Sequence, residues 1–359
     1  IRCFSMLVSI LPRQFRHNLI RHNLIRHNLI RHNLIRHNLI RHNLKLLRLS
    51  LIPILGFYIS ACSTLPSTIP ATPEPVIKVP TVALVLGGGG AKGFAHVGVI
   101  KALEENGIKP TLVVGTSVGS LIGSLYASGY TPAQLEQLAL TTTDSQLTDF
   151  TLSNQGFIEG IKLKNFINSK VNARAIEDFP IAFAAIAAEK HTLKKAIFTT
   201  GDAGLAVQAS CSVPNIFIAP RIPEKVGKKY IDGGVVSLVP VDSAYDLGAD
   251  IVIAVDVTGA QGSDSTNNLI PTMNSLSDFW GFLETNILAT NLTANRSKSN
   301  QSERDRADIV ITPNVGRNSS IDTRQRRSLI QAGAQATTPQ INAIKQLIQE
   351  KSSSQYTTL

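Results

Sequence analysis

The chain of 359 residues carries 35 Lys and Arg against 25 Asp and Glu, three Cys and 43% hydrophobic residues, enough to bury one substantial core or two. This composition excludes collagen, coiled-coil and disulfide-scaffold architectures. The formal charge of +10 suggests a nucleic-acid partner only until it is located: residues 1–61 hold ten Lys and Arg and no carboxylate, leaving 25 basic and 25 acidic groups downstream. The body is therefore formally neutral and no nucleic-acid partner is expected. Six of the eight His also fall in that first stretch, so only His96 and His191 remain for chemistry in the body.

Residues 16–44 repeat Arg-His-Asn-Leu-Ile five times and begin a sixth copy at Arg41. A period of five rotates the Leu-Ile pair around a helix and flips it between the faces of a strand, so no continuous apolar face forms. Residues 1–48 are read as a basic repeat extension, disordered or not translated. From Leu49 to Ala61 no charge occurs, and this run of 13 residues has the length of a signal-peptide apolar region, too short to span a bilayer. It ends in Ile59-Ser60-Ala61-Cys62, which resembles the lipobox of bacterial lipoproteins. That likeness implies lipidation of Cys62 and anchoring in a bacterial cell envelope, at the outer membrane facing the periplasm because Ser63 is not Asp. Residues 62–80, rich in Ser, Thr and Pro, read as an extended tether.

Beyond Thr81, uninterrupted apolar runs (Val82 to Leu86, Leu112 to Val114, Ile181 to Ala188, Ile251 to Val257 and Ile309 to Ile311) alternate with helical segments at Phe94 to Glu105, Ser120 to Ser128, Lys162 to Val171 and Ala203 to Ser210. Strands without polar alternation are covered on both faces, so the pattern predicts an α/β layered domain over residues 81–350, with a mainly parallel central sheet flanked by helices. Residues 351–359 read as a disordered tail. The stretches Gln261 to Asn268 and Asn295 to Arg306 lack apolar periodicity and read as exposed loops. Leu276, Phe279, Trp280, Leu283 and Ile287 show the spacing of a core helix, although a membrane-docking face would share it.

Two glycine motifs carry the chemistry. The first strand runs into Gly87-Gly88-Gly89-Gly90-Ala91-Lys92-Gly93, whose N–H groups can converge on an anion. A phosphate-binding loop of the Walker type would need Ser or Thr after Lys92, where Gly93 stands, and a dinucleotide fold would need an acidic residue after the second strand, where Gly115-Thr116 stands. An oxyanion hole is left. The second strand runs into Gly115-Thr116-Ser117-Val118-Gly119 and then a helix, the setting of a nucleophile elbow. For a base, His191 lies in a polar turn and His96 on the helix after the glycine loop, whereas Asp232, followed by Gly233 and Gly234, offers a carboxylate at a sharp turn.

Together these segments resemble the patatin-like phospholipase family: the glycine loop through Lys92 and Gly93, the Gly115–Gly119 elbow, Ala209-Ser210-Cys211-Ser212-Val213-Pro214, and Asp232-Gly233-Gly234. The resemblance implies a Ser-Asp dyad of Ser117 and Asp232, with Gly88, Gly89 and Gly90 supplying oxyanion N–H groups. It also implies ester hydrolysis of a phospholipid or lysophospholipid, without metal or cofactor. Lys92 matches a basic family position, as loop support or as a solvated lysine. Ser237 departs from the Asn of many relatives, which bears on the anchoring of the loop after Asp232. Cys211 reads as an inert buried thiol. Other readings of the same residues are an esterase or thioesterase on soluble acyl substrates, and a non-catalytic membrane-tethered lipid-binding protein.

Overall fold

The computed structural model describes residues 79–151, 153, 155–258, 302–316 and 322–354. The pentapeptide repeat, the apolar run, Cys62 and its tether up to residue 78, Gln261 to Asn268 and the Leu276–Ile287 stripe lie outside these residues.

The chain alternates strand and helix as its apolar runs predict. β1 (Val82–Leu86) leads through a tight 3-10 turn (Gly90–Gly93) into α1 (Phe94–Glu105), and β2 (Leu112–Thr116) into α2 (Val118–Ala127). There follow α3 (Pro132–Thr141), the short α4 (Asp144–Leu147), α5 (Ile161–Lys170), β3 (Ala182–Glu189), β4 (Lys195–Phe198) and α6 (Ala203–Ser210). β5 (Arg221–Ile222), β6 (Lys228–Asp232), α7 (Val241–Asp246), β7 (Ile251–Val255), β8 (Ile309–Ile311), α8 (Arg326–Thr337) and α9 (Ile341–Ser354) complete it. The last helix thus runs four residues into the segment expected to be a tail.

The strands join in the order β5-β6-β3-β2-β1-β7-β8, with β4 also on β3. The pairs β3–β2, β2–β1, β1–β7 and β7–β8 are parallel, while β4, β5 and β6 are antiparallel. β1, β2 and β7 are buried along their whole length, which is why they read as continuous apolar runs. Alternate residues feed two cores. Val82, Leu84 and Leu86 join the larger one with α1, α2 and α8, and Ala83 and Val85 join a smaller one roofed by Val241 and Ala244 of α7. α1 and α8 touch backbone to backbone: a Cβ on Gly98 would stand 1.8 Å from the Ile330 carbonyl oxygen, and one on Gly333 1.9 Å from that of Ala95. No helix among the described residues is long and apolar enough to cross a membrane.

Candidate active site

The elbow at the end of β2 holds Ser117 at φ 54° and ψ −126°, a left-handed conformation that costs a non-glycine residue on the order of 1–3 kcal/mol. Hydrogen bonds fix it from both sides. Its N–H donates to Ser210 Oγ at 2.9 Å, and its carbonyl accepts from the Ser120 and Leu121 N–H groups (2.8 and 3.2 Å) and from Ser120 Oγ (2.7 Å). The flanking glycines are sterically required: a Cβ on Gly115 would lie 2.5 Å from the Gly119 carbonyl, and one on Gly119 2.0 Å from the Leu86 oxygen. The serine side chain is left partly exposed while Thr116 and Gly119 are buried.

Asp232 reaches this elbow through an interruption of the sheet. Ile186 of β3 pairs with both Thr116 and Ile197, and Ala187 with both Ala196 and Asp232. β4 therefore occupies one edge of β3, and β2 and β6 share the other, running toward each other and ending opposite adjacent residues. Both site loops leave the sheet at that meeting point. Gly233 fits there because it has no side chain, since a Cβ would stand 2.2 Å from the Ile186 carbonyl oxygen. The end of α6 fills the gap in the ladder: Ser210 Oγ donates to the Ile186 carbonyl at 2.6 Å while accepting from Ser117, and the Ser212 carbonyl accepts the Asp232 N–H at 2.8 Å. Ser210 thus links the Ser117 loop to the sheet. Sequence reasoning finds it only as part of a family segment.

The Asp232 carboxyl is 7% exposed. Oδ1 accepts the Gly234 N–H at 2.7 Å, whereas Oδ2 is buried without a hydrogen-bond partner. Burial pushes its pKa up to about 6, and the Ser117 hydroxyl and the Gly234 N–H hold it from rising further. Ser117 thus acts on the carboxylate without a full hydrogen bond to Oδ2. Poorly aligned catalytic hydrogen bonds are common in unliganded sites, where the contact tightens around substrate.

In the glycine loop the Gly87 and Gly88 N–H groups are already donated, to the Val255 and Leu238 carbonyls, each at 3.0 Å. This corrects the expectation for Gly88. Its N–H is engaged in this conformation, and its part is close approach, since a Cβ there would lie 2.9 Å from Leu238 Cδ1 and 3.4 Å from Ser117 Cβ. Gly89 (φ 156°) and Gly90 (φ 57°) turn the chain, and among the described residues neither N–H has an assigned acceptor. Gly93 abuts Val118, where a Cβ would come within 2.4 Å. Lys92 is 5% exposed, so it is not a solvated lysine, and its N–H closes the turn onto the Gly89 carbonyl at 3.2 Å. His96 lies fully buried beneath the loop, and its ring Nε2 donates to the Gly87 carbonyl at 2.8 Å. Burial lowers its pKa to about 4, so it stays neutral near pH 7 and serves as a strut for the loop.

The loop after Asp232 is anchored by a residue that the sequence conceals. Ser237 Oγ donates to Glu303 (2.8 and 2.9 Å), its carbonyl accepts from Thr116 Oγ1 (2.9 Å), and Glu303 also meets Lys195 at 3.5 Å. Residues 302–306, read as the end of an exposed loop, instead form a helical turn with Glu303 buried. Beside it Arg304 pairs with buried Asp256 at 2.8 Å; burial opposes the Asp256 charge, but Thr258 and Arg304 outweigh it and lower the pKa. Ser237 thus keeps the loop fixed despite departing from Asn. His191 lies in the exposed β3–β4 turn, and among the described residues no hydrogen bond joins it to Ser117 or Asp232. Cys211 is buried, and burial followed by the nearby Asp232 charge pushes its thiol well above the usual range, as an inert thiol requires.

Residues 84–245 match the family model described as patatin-like phospholipase. A patatin-like phospholipase domain-containing protein of Caenorhabditis elegans is 36% identical over 209 residues, 56% of this chain and 15% of the relative. Patatin-like phospholipase domain-containing protein 6 of Homo sapiens is 34% identical over 206 residues, again 56% and 15%. An uncharacterized NTE family protein of Mycobacterium tuberculosis is 35% identical over 188 residues, 51% of this chain and 50% of the relative. The chain therefore spans a small part of the animal proteins and half of the mycobacterial one. The crystal structure of VipD from Legionella pneumophila covers 74% of this chain and 67% of its own at 15% identity and a TM-score of 0.49, too distant to add to the assignment. Residues 84–245 are thus a patatin-like phospholipase domain, similar to those of the animal proteins.

Proposed function

We propose that the protein is a serine acyl-ester hydrolase acting on membrane lipids, of the phospholipase A or lysophospholipase type, working through a Ser117–Asp232 dyad. The observation that carries this reading is the end-to-end meeting of β2 and β6 on one edge of β3, which brings an outward-turned serine beside a buried carboxylate with a free oxygen. Ser117 Oγ attacks the ester carbonyl as its proton passes to Asp232 Oδ2. Negative charge gathers on the carbonyl oxygen, where the Gly89 and Gly90 N–H groups donate to it, replacing the three-glycine set expected from the motif. The protonated Asp232 then gives its proton to the departing alkoxide, leaving an acyl-serine. Water attacks that ester with Asp232 again as base, and the fatty acid leaves. No step needs imidazole.

From the sequence alone we also propose that Cys62 carries lipid and tethers the domain to a bacterial envelope, at the outer membrane facing the periplasm. A tether would raise the local concentration of substrate without adding a contact. Mass measurement of the mature amino terminus tests it; an uncleaved, unmodified chain contradicts it. Lipid-hydrolysis profiling of the whole protein against Ser117→Ala tests the reaction: free fatty acid from phospholipid or lysophospholipid should appear with the parent and be lost in the variant. Turnover of soluble thioesters alone would contradict the membrane-lipid assignment.

A further inference from the structure

Two turns rise from the side of the sheet on which the site lies, and the chemistry uses neither. β3 runs three residues beyond Ile186, the partner of Thr116, so its turn stands about 10 Å past the level of the elbow. The β5–β6 turn lies beside it: the Lys190 N–H donates to the Lys229 carbonyl at 2.8 Å, and Lys228 pairs with Glu189 at 3.0 Å. Each turn carries one aliphatic side chain out into solvent in a frame of lysines. Leu193, 41% exposed, stands between Lys190 and Lys194, and Val226, 84% exposed, between Lys225 and Lys228. Left-handed residues sharpen both tips, Leu193 at φ 54° and Lys225 at φ 69°. The carboxylates of these segments are neutralised, Glu189 by Lys228 and Glu224 by Lys164 of α5, while among the described residues Lys190, Lys194 and Lys225 make no ion pair.

We infer that these two tips form a docking surface for an anionic phospholipid bilayer. A single exposed aliphatic side chain is ordinary on a soluble protein. Two on neighbouring tips, Leu193 between the unpaired Lys190 and Lys194 and Val226 beside the unpaired Lys225, both projecting past the elbow, meet the demands of a headgroup layer, where ammonium groups sit at phosphates and short apolar side chains enter below them. A polyanion such as RNA would engage the lysines but leave Leu193 and Val226 without a role. Because β6 runs from its tip straight into Asp232, docking also faces the site loops toward the membrane. The purpose of the surface rests on the proposed lipid hydrolysis; its existence is tested separately.

The test is hydrogen exchange of the full chain with and without vesicles, a local readout chosen because residues 1–61 are basic as well. Amides of residues 190–194 and 224–228 should slow on phosphatidylcholine–phosphatidylserine vesicles (about 7:3) and not on phosphatidylcholine alone. The combined Lys190→Glu, Lys194→Glu and Lys225→Glu variant should lose that protection. Each lysine at such a surface is worth about fivefold in partition, so losing three lowers tip affinity about 100-fold and reversing their charge lowers it further, with hydrolysis of a soluble short-chain ester unchanged. Tips that exchange alike with and without anionic vesicles overturn the inference, as does equal protection in the triple variant. Protection by an oligonucleotide and not by vesicles also overturns it, making nucleic acid the partner. Ser117→Ala should keep protected tips, so failed ester turnover with protected tips sinks the hydrolase alone, and normal turnover with unprotected tips sinks the docking alone.

Discussion

The loops bearing Ser117 and Asp232 leave the same point of the sheet but are tuned by different physics. Ser117 is set by geometry: a left-handed backbone, glycines on either side pressed against carbonyls, and hydrogen bonds to both its N–H and its C=O. Asp232 keeps an ordinary backbone (φ −47°, ψ 133°) and is tuned by its surroundings, through burial and a single N–H on one oxygen. In the proposed dyad Ser117 is thus an aimed group and Asp232 a poised one. Disturbing the first should alter reach and alignment, and disturbing the second should alter the pH at which the site works.

Substituting Asp232→Asn should produce the largest separation of the two. It keeps the acceptor for the Gly234 N–H but removes the base, and ester turnover should fall by about 10²–10⁴-fold. Stability should move the other way. Because the folded pKa lies above the unfolded value, the carboxyl's favourable contribution is complete below about 3.8 and lost as pH rises through about 6. Thermal melts should therefore show the Asp232→Asn variant gaining on the parent by about 1–3 kcal/mol between pH 4 and 8. Gly89→Ala comes next: φ 156° and a Cβ 2.7 Å from Val257 Cγ2 displace the loop, and the loss of an oxyanion donor should cost about 10²–10³ in kcat. The pH profile of kcat/KM should rise about tenfold per unit below an apparent pKa of about 6 and level off above it, as an ionised Asp232 requires. Ser210→Ala, which severs the link from the Ser117 N–H to the Ile186 carbonyl, should lower kcat about tenfold while leaving that apparent pKa in place. A shifted profile would show that Ser210 acts on the base and not on the elbow.

The parallel half of the sheet is readable in the sequence because strands buried on both faces must be continuously apolar, and the elbow because its glycines answer a steric demand that any sequence must meet. β6 is not, since Lys228-Lys229-Tyr230-Ile231 is a partly exposed strand with only Ile231 buried, and its register with β3 depends on contacts distant in sequence. Ser117 and Asp232 can each be picked out from local motifs as the proposed nucleophile and base, but not the reason they meet. Glu303 shows the same limit, because a carboxylate in a polar stretch carries no local sign that Ser237 will bury it. α3 does carry a sign that apolar runs alone do not catch: Thr131-Pro132-Ala133-Gln134 is a capping box with proline in the first turn. Spacing also says nothing about which loop N–H groups are already engaged, which is why Gly88 stands among the expected donors.

The most direct test of the dyad is to treat the whole protein with a fluorophosphonate and locate the adduct by peptide mass spectrometry, in the parent and in the Asp232→Asn and His191→Ala variants. The account predicts a single adduct on Ser117 in the parent, equal labelling in His191→Ala, and almost none in Asp232→Asn. An unlabelled Ser117 in the parent, or labelling that disappears with His191, would contradict it.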